Sequence, residues 1–195
     1  LIFNFFSKYN SENFIEITNK NNHDIFIIVP CYNFDKFIYE CLNSIKNQKY
    51  NNYKCIIIND GSTDNSKKII DEFTKDKKFI CLDYKDNNGP AFSKYVGFMK
   101  VKELSTPNDI IMVIDGDDYL IGDNVLSLIN STYNNNKCWF TYGSYKGKYG
   151  EQVKDISKLK IKNYRKDKWY YGHPRSFKTF LLDFFTDADF KYSDN

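Results

Sequence analysis

An α/β fold built on a mainly parallel sheet flanked by helices is predicted by three features of this chain. Apolar runs of four or five residues recur, and most are followed by a segment with apolar residues at helical spacing. Four of the runs stop in loops rich in Asn, Asp, Ser and Gly, where a parallel sheet presents the carboxyl ends of its strands. The clearest run, Ile110 to Ile114, reads as a strand buried on both faces and ends abruptly in Asp115, Gly116, Asp117 and Asp118.

The elements follow in order. Residues 1–22 carry aromatics without a clear period and are read as an N-terminal arm. Ile25 to Val29 form the first predicted strand, closed by Pro30, and Phe37, Ile38, Cys41, Leu42 and Ile45 then recur at helical spacing. Cys55 to Ile58 form the second strand, ending in Asn59-Asp60-Gly61-Ser62-Thr63-Asp64. A helix through Ile69, Ile70 and Phe73 follows, with Ser62 or Asp64 expected as its cap. Phe79 to Leu82 make the third strand. Pro90 suits the first turn of the next helix, through Phe92, Val96 and Met99, because an N–H is not needed there.

After the fourth strand, Asp123 is the expected cap of a helix through Val125, Leu128 and Ile129, and Cys138 to Tyr142 read as a fifth strand. Residues 144–172 are rich in Lys, Tyr and Gly and read as loops and short strands. Phe177, Phe180, Leu181 and Phe184 suggest a closing helix. The expected organisation is an arm (1–22), a core (23–143) and a small irregular segment (144–195) that reads as truncated.

At 195 residues the chain suits one sizeable domain with a small appendage. Its 28 basic and 25 acidic residues are too balanced for nucleic acid to be the main partner. No apolar run approaches the ~20 residues that span a bilayer, so no transmembrane segment is expected. The N-terminus lacks a signal-peptide pattern. Cys31, Cys41, Cys55, Cys81 and Cys138 lie mostly in apolar segments without a C-x-x-C pair, which favours a reducing compartment and argues against zinc. The expected location is cytoplasmic, in the host cytoplasm if the chain is viral. The sequence starts at Leu1 and stops at Asn195 without terminal features, and so reads as a fragment.

Carboxylates gathered at the end of a buried strand repel one another unless a cation joins them. Asp115 to Asp118 therefore predict a divalent metal with a phosphorylated ligand, against the blander reading of a solvated turn. Four strand ends with ligand-type residues are more telling than one. Asp60 is placed to accept a hydrogen bond from a base or ribose, or else to hold a helix N-terminal turn. Tyr32 is placed to stack on a planar ring, or to pack in its loop. An EF-hand is excluded because Leu120 stands where that loop needs glycine. No phosphate loop or dinucleotide fingerprint occurs.

Ile27-Ile28-Val29-Pro30-Cys31-Tyr32-Asn33, Ser44-Ile45-Lys46-Asn47-Gln48 and Ile56-Ile57-Ile58-Asn59-Asp60-Gly61-Ser62-Thr63-Asp64 resemble family 2 glycosyltransferases of the GT-A fold. Asn88-Gly89-Pro90-Ala91 and Ile114-Asp115-Gly116-Asp117-Asp118 continue the likeness in the same order. The resemblance implies an inverting hexosyltransferase. Its donor would be a nucleotide sugar, most often a UDP-sugar, its cation Mn²⁺ or Mg²⁺, and its acceptor a glycan or glycoprotein hydroxyl. Pro30 and Tyr32 match the first donor-binding loop, and Asp60 the aspartate that reads the base. Asp115, Gly116 and Asp117 match the D-x-D stretch, with Asp115 and Asp117 as metal ligands. Hard oxygen ligands suit either ion.

There are departures. Asn59 replaces the first of two usual aspartates, and Lys94-Tyr95 stand where an Arg-Asn pair is common. Lys94 is read as a point charge toward the diphosphate, or as a solvated helix lysine. His173 lies where similar enzymes place a histidine near the metal, Arg175 could clamp a phosphate, and Trp169 could stack on a sugar. An inverting transfer needs a base for the acceptor hydroxyl. The family's Glu-Asp pair is absent; Asp183, Asp187 and Asp189 are the late candidates for the base, with Asp187 and Asp189 preferred, and a position beyond Asn195 is the alternative. Two alternatives stay open: a catalytically inactive GT-A module that binds a glycan or partner, and a nucleotidyltransferase.

Overall fold

Buried aliphatic runs become the centre of a six-stranded sheet in the computed structural model, which describes residues 22–136, 138–143 and 172–186. The elements are β1 (Ile25–Cys31), α1 (Ile38–Lys46), β2 (Tyr53–Asp60), α2 (Ser66–Phe73), β3 (Phe79–Tyr84), α3 (Pro90–Leu104) and β4 (Ile110–Val113). They are followed by α4 (Val125–Asn135), β5 (Phe140–Gly143), β6 (Gly172–Lys178) and a 3-10 turn (Thr179–Phe184). The sheet order is β3-β2-β1-β4-β6-β5, with β1 to β4 mutually parallel and β6 antiparallel to both of its neighbours.

Alternate residues of the central strands feed two cores. Ile25, Ile27, Val29, Ile57 and Met112 pack against α1, α2 and α4 through Ile38, Leu42, Ile70 and Leu126. Phe26, Ile28, Ile58 and Ile111 pack on the other face against Phe98 and Val101 of α3 and Leu182 of the 3-10 turn. Burial on both faces is why these strands read as unbroken apolar runs. Each fully buried aliphatic side chain contributes roughly 1.5–3 kcal/mol. Helix α3 lies close on the sheet because Gly97 faces it: a Cβ there would be 2.8 Å from Ile28 Cγ2.

Several local expectations need correction. Pro30 does not close β1, which continues through Cys31. Its carbonyl accepts from Gly116 N at 3.2 Å, on the side where the β4 ladder has already ended, so the missing N–H leaves no ladder bond unmade. Asp123 does not cap α4; it pairs with Lys49 at 2.7 Å, and the helix starts after Asn124. Phe177 belongs to β6, and residues 179–184 form a 3-10 turn instead of an α-helix running through both. The apolar spacing there suits a helix, but the apolar edge of β4 takes residues 175–178 as its partner strand. No helix among the described residues is long and apolar enough to cross a membrane.

Candidate active site

The carboxyl ends of β1 to β4 emerge along one edge, and side chains from each loop tie the next in place. In the first loop Asn33 takes a left-handed backbone (φ 55°), which its short polar side chain tolerates. Asn33 N donates to Ser62 Oγ at 3.0 Å, and Asn33 Oδ1 accepts from Thr63 N at 2.8 Å. Phe34 N and Asp35 N donate to Ser66 Oγ and Asp64 Oδ2, joining this loop to the start of α2. Neither Ser62 nor Asp64 is the cap of that helix, which starts after Asn65 without a side-chain cap bond, but Asp64 Oδ1, one residue earlier, accepts from Ser66 N at 2.9 Å. Burial acts upward on the Asp64 pKa, but the bonds from Ser66 and Asp35 outweigh it and hold the carboxyl below its ordinary value. Beside these residues, Tyr32 is exposed at the rim.

Asp60 is only 2 % exposed. Its carboxylate accepts from Asn88 N (3.0 Å), Asn88 Nδ2 (3.2 Å), Gly89 N (2.8 Å) and Ser93 Oγ (3.1 Å), which pins the loop ahead of α3. Gly61 lies so close beneath that loop that a Cβ would meet the Asp86 carbonyl carbon at 2.6 Å. The neighbouring Asn59 explains one departure noted in the sequence. Its Nδ2 donates to Asp83 Oδ1 at 2.6 Å, where an aspartate would set two carboxylates against each other. Asn59 Oδ1 is buried with no partner among the described residues.

The acidic loop crosses the end of β1. Gly116 N is bonded to Pro30 O, and a Cβ on Gly116 would come 2.8 Å from that same oxygen and 2.9 Å from Phe34 Cδ2. Glycine between the two aspartates is thus a packing requirement. Asp118 N donates back to Asp115 O at 2.9 Å, leaving the Asp117 side chain exposed at the tip. Lys94 Nζ, from the second turn of α3, lies 3.6 Å from Asp115 Oδ1. Burial, followed by the negative field of Asp118 and its neighbours, pushes the Cys41 thiol below this loop well up and keeps it protonated.

The structure thus brings Pro30, Tyr32, Asp60, Lys94, Asp115, Gly116 and Asp117 to one edge. Asn33 and Asn88, which help hold that edge together, lie within the motifs quoted for the resemblance, whereas Ser93 had no sequence signal beyond being polar. Arg175 pairs in register with Val113, the last residue of β4, so the backbone of β6 at His173 also lies toward this edge. Asp183 pairs with Lys102 at 2.8 Å near the opposite end of α3, away from the loops. Asp187, Asp189 and Trp169 lie outside the described residues. No three His, Cys, Asp or Glu side chains among the described residues form a ready metal cluster.

A mainly parallel sheet whose strand ends gather a hidden aspartate, a glycine-spaced carboxylate pair and a lysine is a fold of the GT-A type. The chain belongs to the family described as Glycosyl transferase family 2, whose model matches residues 26–188. It is 42 % identical over 96 residues to a teichoic acid poly(glycerol phosphate) polymerase of Staphylococcus epidermidis, which covers 48 % of this chain and 13 % of that protein. It is 32 % identical over 143 residues to an uncharacterized glycosyltransferase of Haemophilus influenzae, covering 72 % of this chain and 55 % of that one. The fold matches S. aureus TarS 1-349 in complex with UDP-GlcNAc with a TM-score of 0.69 and 22 % identity, over 85 % of this chain and 47 % of that one. The chain therefore spans about half or less of the length of these relatives.

Proposed function

We propose that this chain is the donor-binding domain of a metal-dependent, inverting glycosyltransferase. The donor is a UDP-sugar and the acceptor a hydroxyl of a glycan or glycoprotein. The observation that carries the reading is the glycine-clamped Asp115-Gly116-Asp117 loop with Lys94 beside it, at the same edge as Asp60 and Tyr32. The UDP-GlcNAc bound by the TarS relative supports the choice of nucleotide.

The donor set fits Mn²⁺ or Mg²⁺. Such ions commonly take one or two protein carboxylates and complete their shell with water and substrate phosphate, so a preformed three-residue cluster is not required. Asp115 and Asp117 would hold the ion, with His173 as a third ligand. When bound, the ion neutralises charge that grows on the leaving diphosphate. Lys94 adds a point charge to the same phosphates. The amino end of the 15-residue α3 contributes its positive dipole end. Asp60, buried with its carboxylate taken up by Asn88, Gly89 and Ser93, serves the base side of the donor by fixing the Asn88–Gly89 loop, and Tyr32 offers an exposed ring at the rim. Asp183 is engaged by Lys102 near the far end of α3. Asp187 and Asp189 are the candidate bases within this chain. A cytoplasmic setting is supported by five unpaired cysteines, all with thiols pushed up by burial.

Calorimetry with UDP in the presence of Mn²⁺ tests the proposal. Saturable binding is expected, reduced at least tenfold in Asp117→Ala. No binding by the folded protein, or undiminished binding by the variant, would overturn it.

A further inference from the structure

Two properties make the contact between Lys94 and Asp115 easy to exchange. At 3.6 Å it is longer than a hydrogen bond, so charge alone holds the two groups together. Both side chains are about one-third exposed, at 35 % and 37 %, so solvent screens the pair and its exchange costs little. The two partners also differ in freedom. The acidic loop is fastened by Gly116 N to Pro30 O and by Asp118 N to Asp115 O. Lys94 reaches it on a flexible four-carbon stem and lacks the planar fork with which an arginine would grip a carboxylate. Asp115, Asp117 and Asp118 crowd one short loop, and Lys94 brings a positive charge to it.

Resting on the donor-site reading above, we propose that Lys94 is an exchangeable counter-ion on Asp115. In the nucleotide-free protein its ammonium neutralises this carboxylate and competes with a divalent cation for it. An arriving diphosphate offers Lys94 a stronger negative partner, draws it off Asp115 and so removes its competition with the cation. Nucleotide and cation then favour each other's binding beyond their direct contact, by the same factor in either order.

The test is Mn²⁺ binding to the full chain, followed by the electron paramagnetic resonance of the free ion, without nucleotide and then with UDP. Without nucleotide, Lys94→Gln should bind Mn²⁺ roughly three- to fivefold more tightly than wild type, the range expected for releasing one exposed ion pair. UDP should bind this variant several-fold more weakly, and the factor by which UDP tightens Mn²⁺ should fall. Opposite changes for the two ligands are not what a merely structural lysine would produce. Lys94→Arg keeps the charge and should leave nucleotide-free Mn²⁺ binding no tighter than in wild type. Lys94→Met, which keeps the stem, should repeat the glutamine result and guards against a folding defect. Asp117→Asn should weaken Mn²⁺ in every background, which locates the ion. If wild type takes up UDP with Mn²⁺ but Lys94→Gln has unchanged or weaker nucleotide-free Mn²⁺ binding, the role of Lys94 is wrong and the donor site stands. If wild type takes up no UDP at all, both readings fall.

Discussion

Gly116 shows how one residue type can serve geometry and charge together. The loop it belongs to passes so near the end of β1 that Pro30 O is both its hydrogen-bond acceptor and its nearest obstacle. In Gly116→Ala the added methyl would meet backbone and the Phe34 ring, and neither yields cheaply. A destabilisation of about 1–3 kcal/mol is expected, together with weaker binding of Mn²⁺ and UDP because Asp115 and Asp117 lose their spacing. Urea denaturation and calorimetry on the same variant check the two effects; a variant of wild-type stability would mean the loop has slack. Asn59 teaches a related lesson at the same scale. Read against a motif it is a lost charge, but beside Asp83 it is a donor where a second carboxylate would be repelled.

Among the elements, α2 depends on a carboxylate that comes before its first turn. Asp64 accepts from Ser66 N and, across the cleft, from Asp35 N, so it starts a helix and fastens the loop after β1 at once. Because its folded pKa lies below the ordinary 3.8, the ionised form contributes stability that is fully present above that pH. The contribution is lost as pH falls through the folded value. Asp64→Asn should therefore be less stable than wild type near neutral pH, and the gap should close in acid below the ordinary value. Thermal unfolding across pH checks this; a gap that persists into strong acid would show that shape, not charge, matters there. Helix α3 is placed by different means, through the absent side chain of Gly97 and the four bonds that hold Asp60 to the loop before it.

For the whole molecule, the decisive event is the return of residues 172–178 to the sheet between β4 and β5. That strand includes Lys178, which is fully buried, donates to Asn108 O at 2.7 Å and stands 5.0 Å from the Tyr133 ring centre. A chain ending at Gly143 would leave β4, apolar on both faces, as an open edge. Such a chain is expected to aggregate or to lose its cooperative unfolding transition, which size-exclusion chromatography and calorimetry would show. A monomeric, cooperatively folding product would mean that β6 is dispensable.

The parallel core was legible because its cues are local. Buried strands announce themselves as short apolar runs, and the polar residues after each run mark the edge where Asp60, Asp115 and Asp117 emerge. The chain by itself therefore determined the order of β1 to β4, the helices between them and the nature of the acidic loop. Only the tertiary structure decided that β6 takes the edge of β4, that the Asp60 carboxylate is spent on residues 28 and 29 positions away, and that Lys94 meets Asp115. These are contacts between parts of the chain that no periodicity links. Their partners are chosen by which polar groups the packed sheet leaves side by side, and that is known only once the sheet has formed.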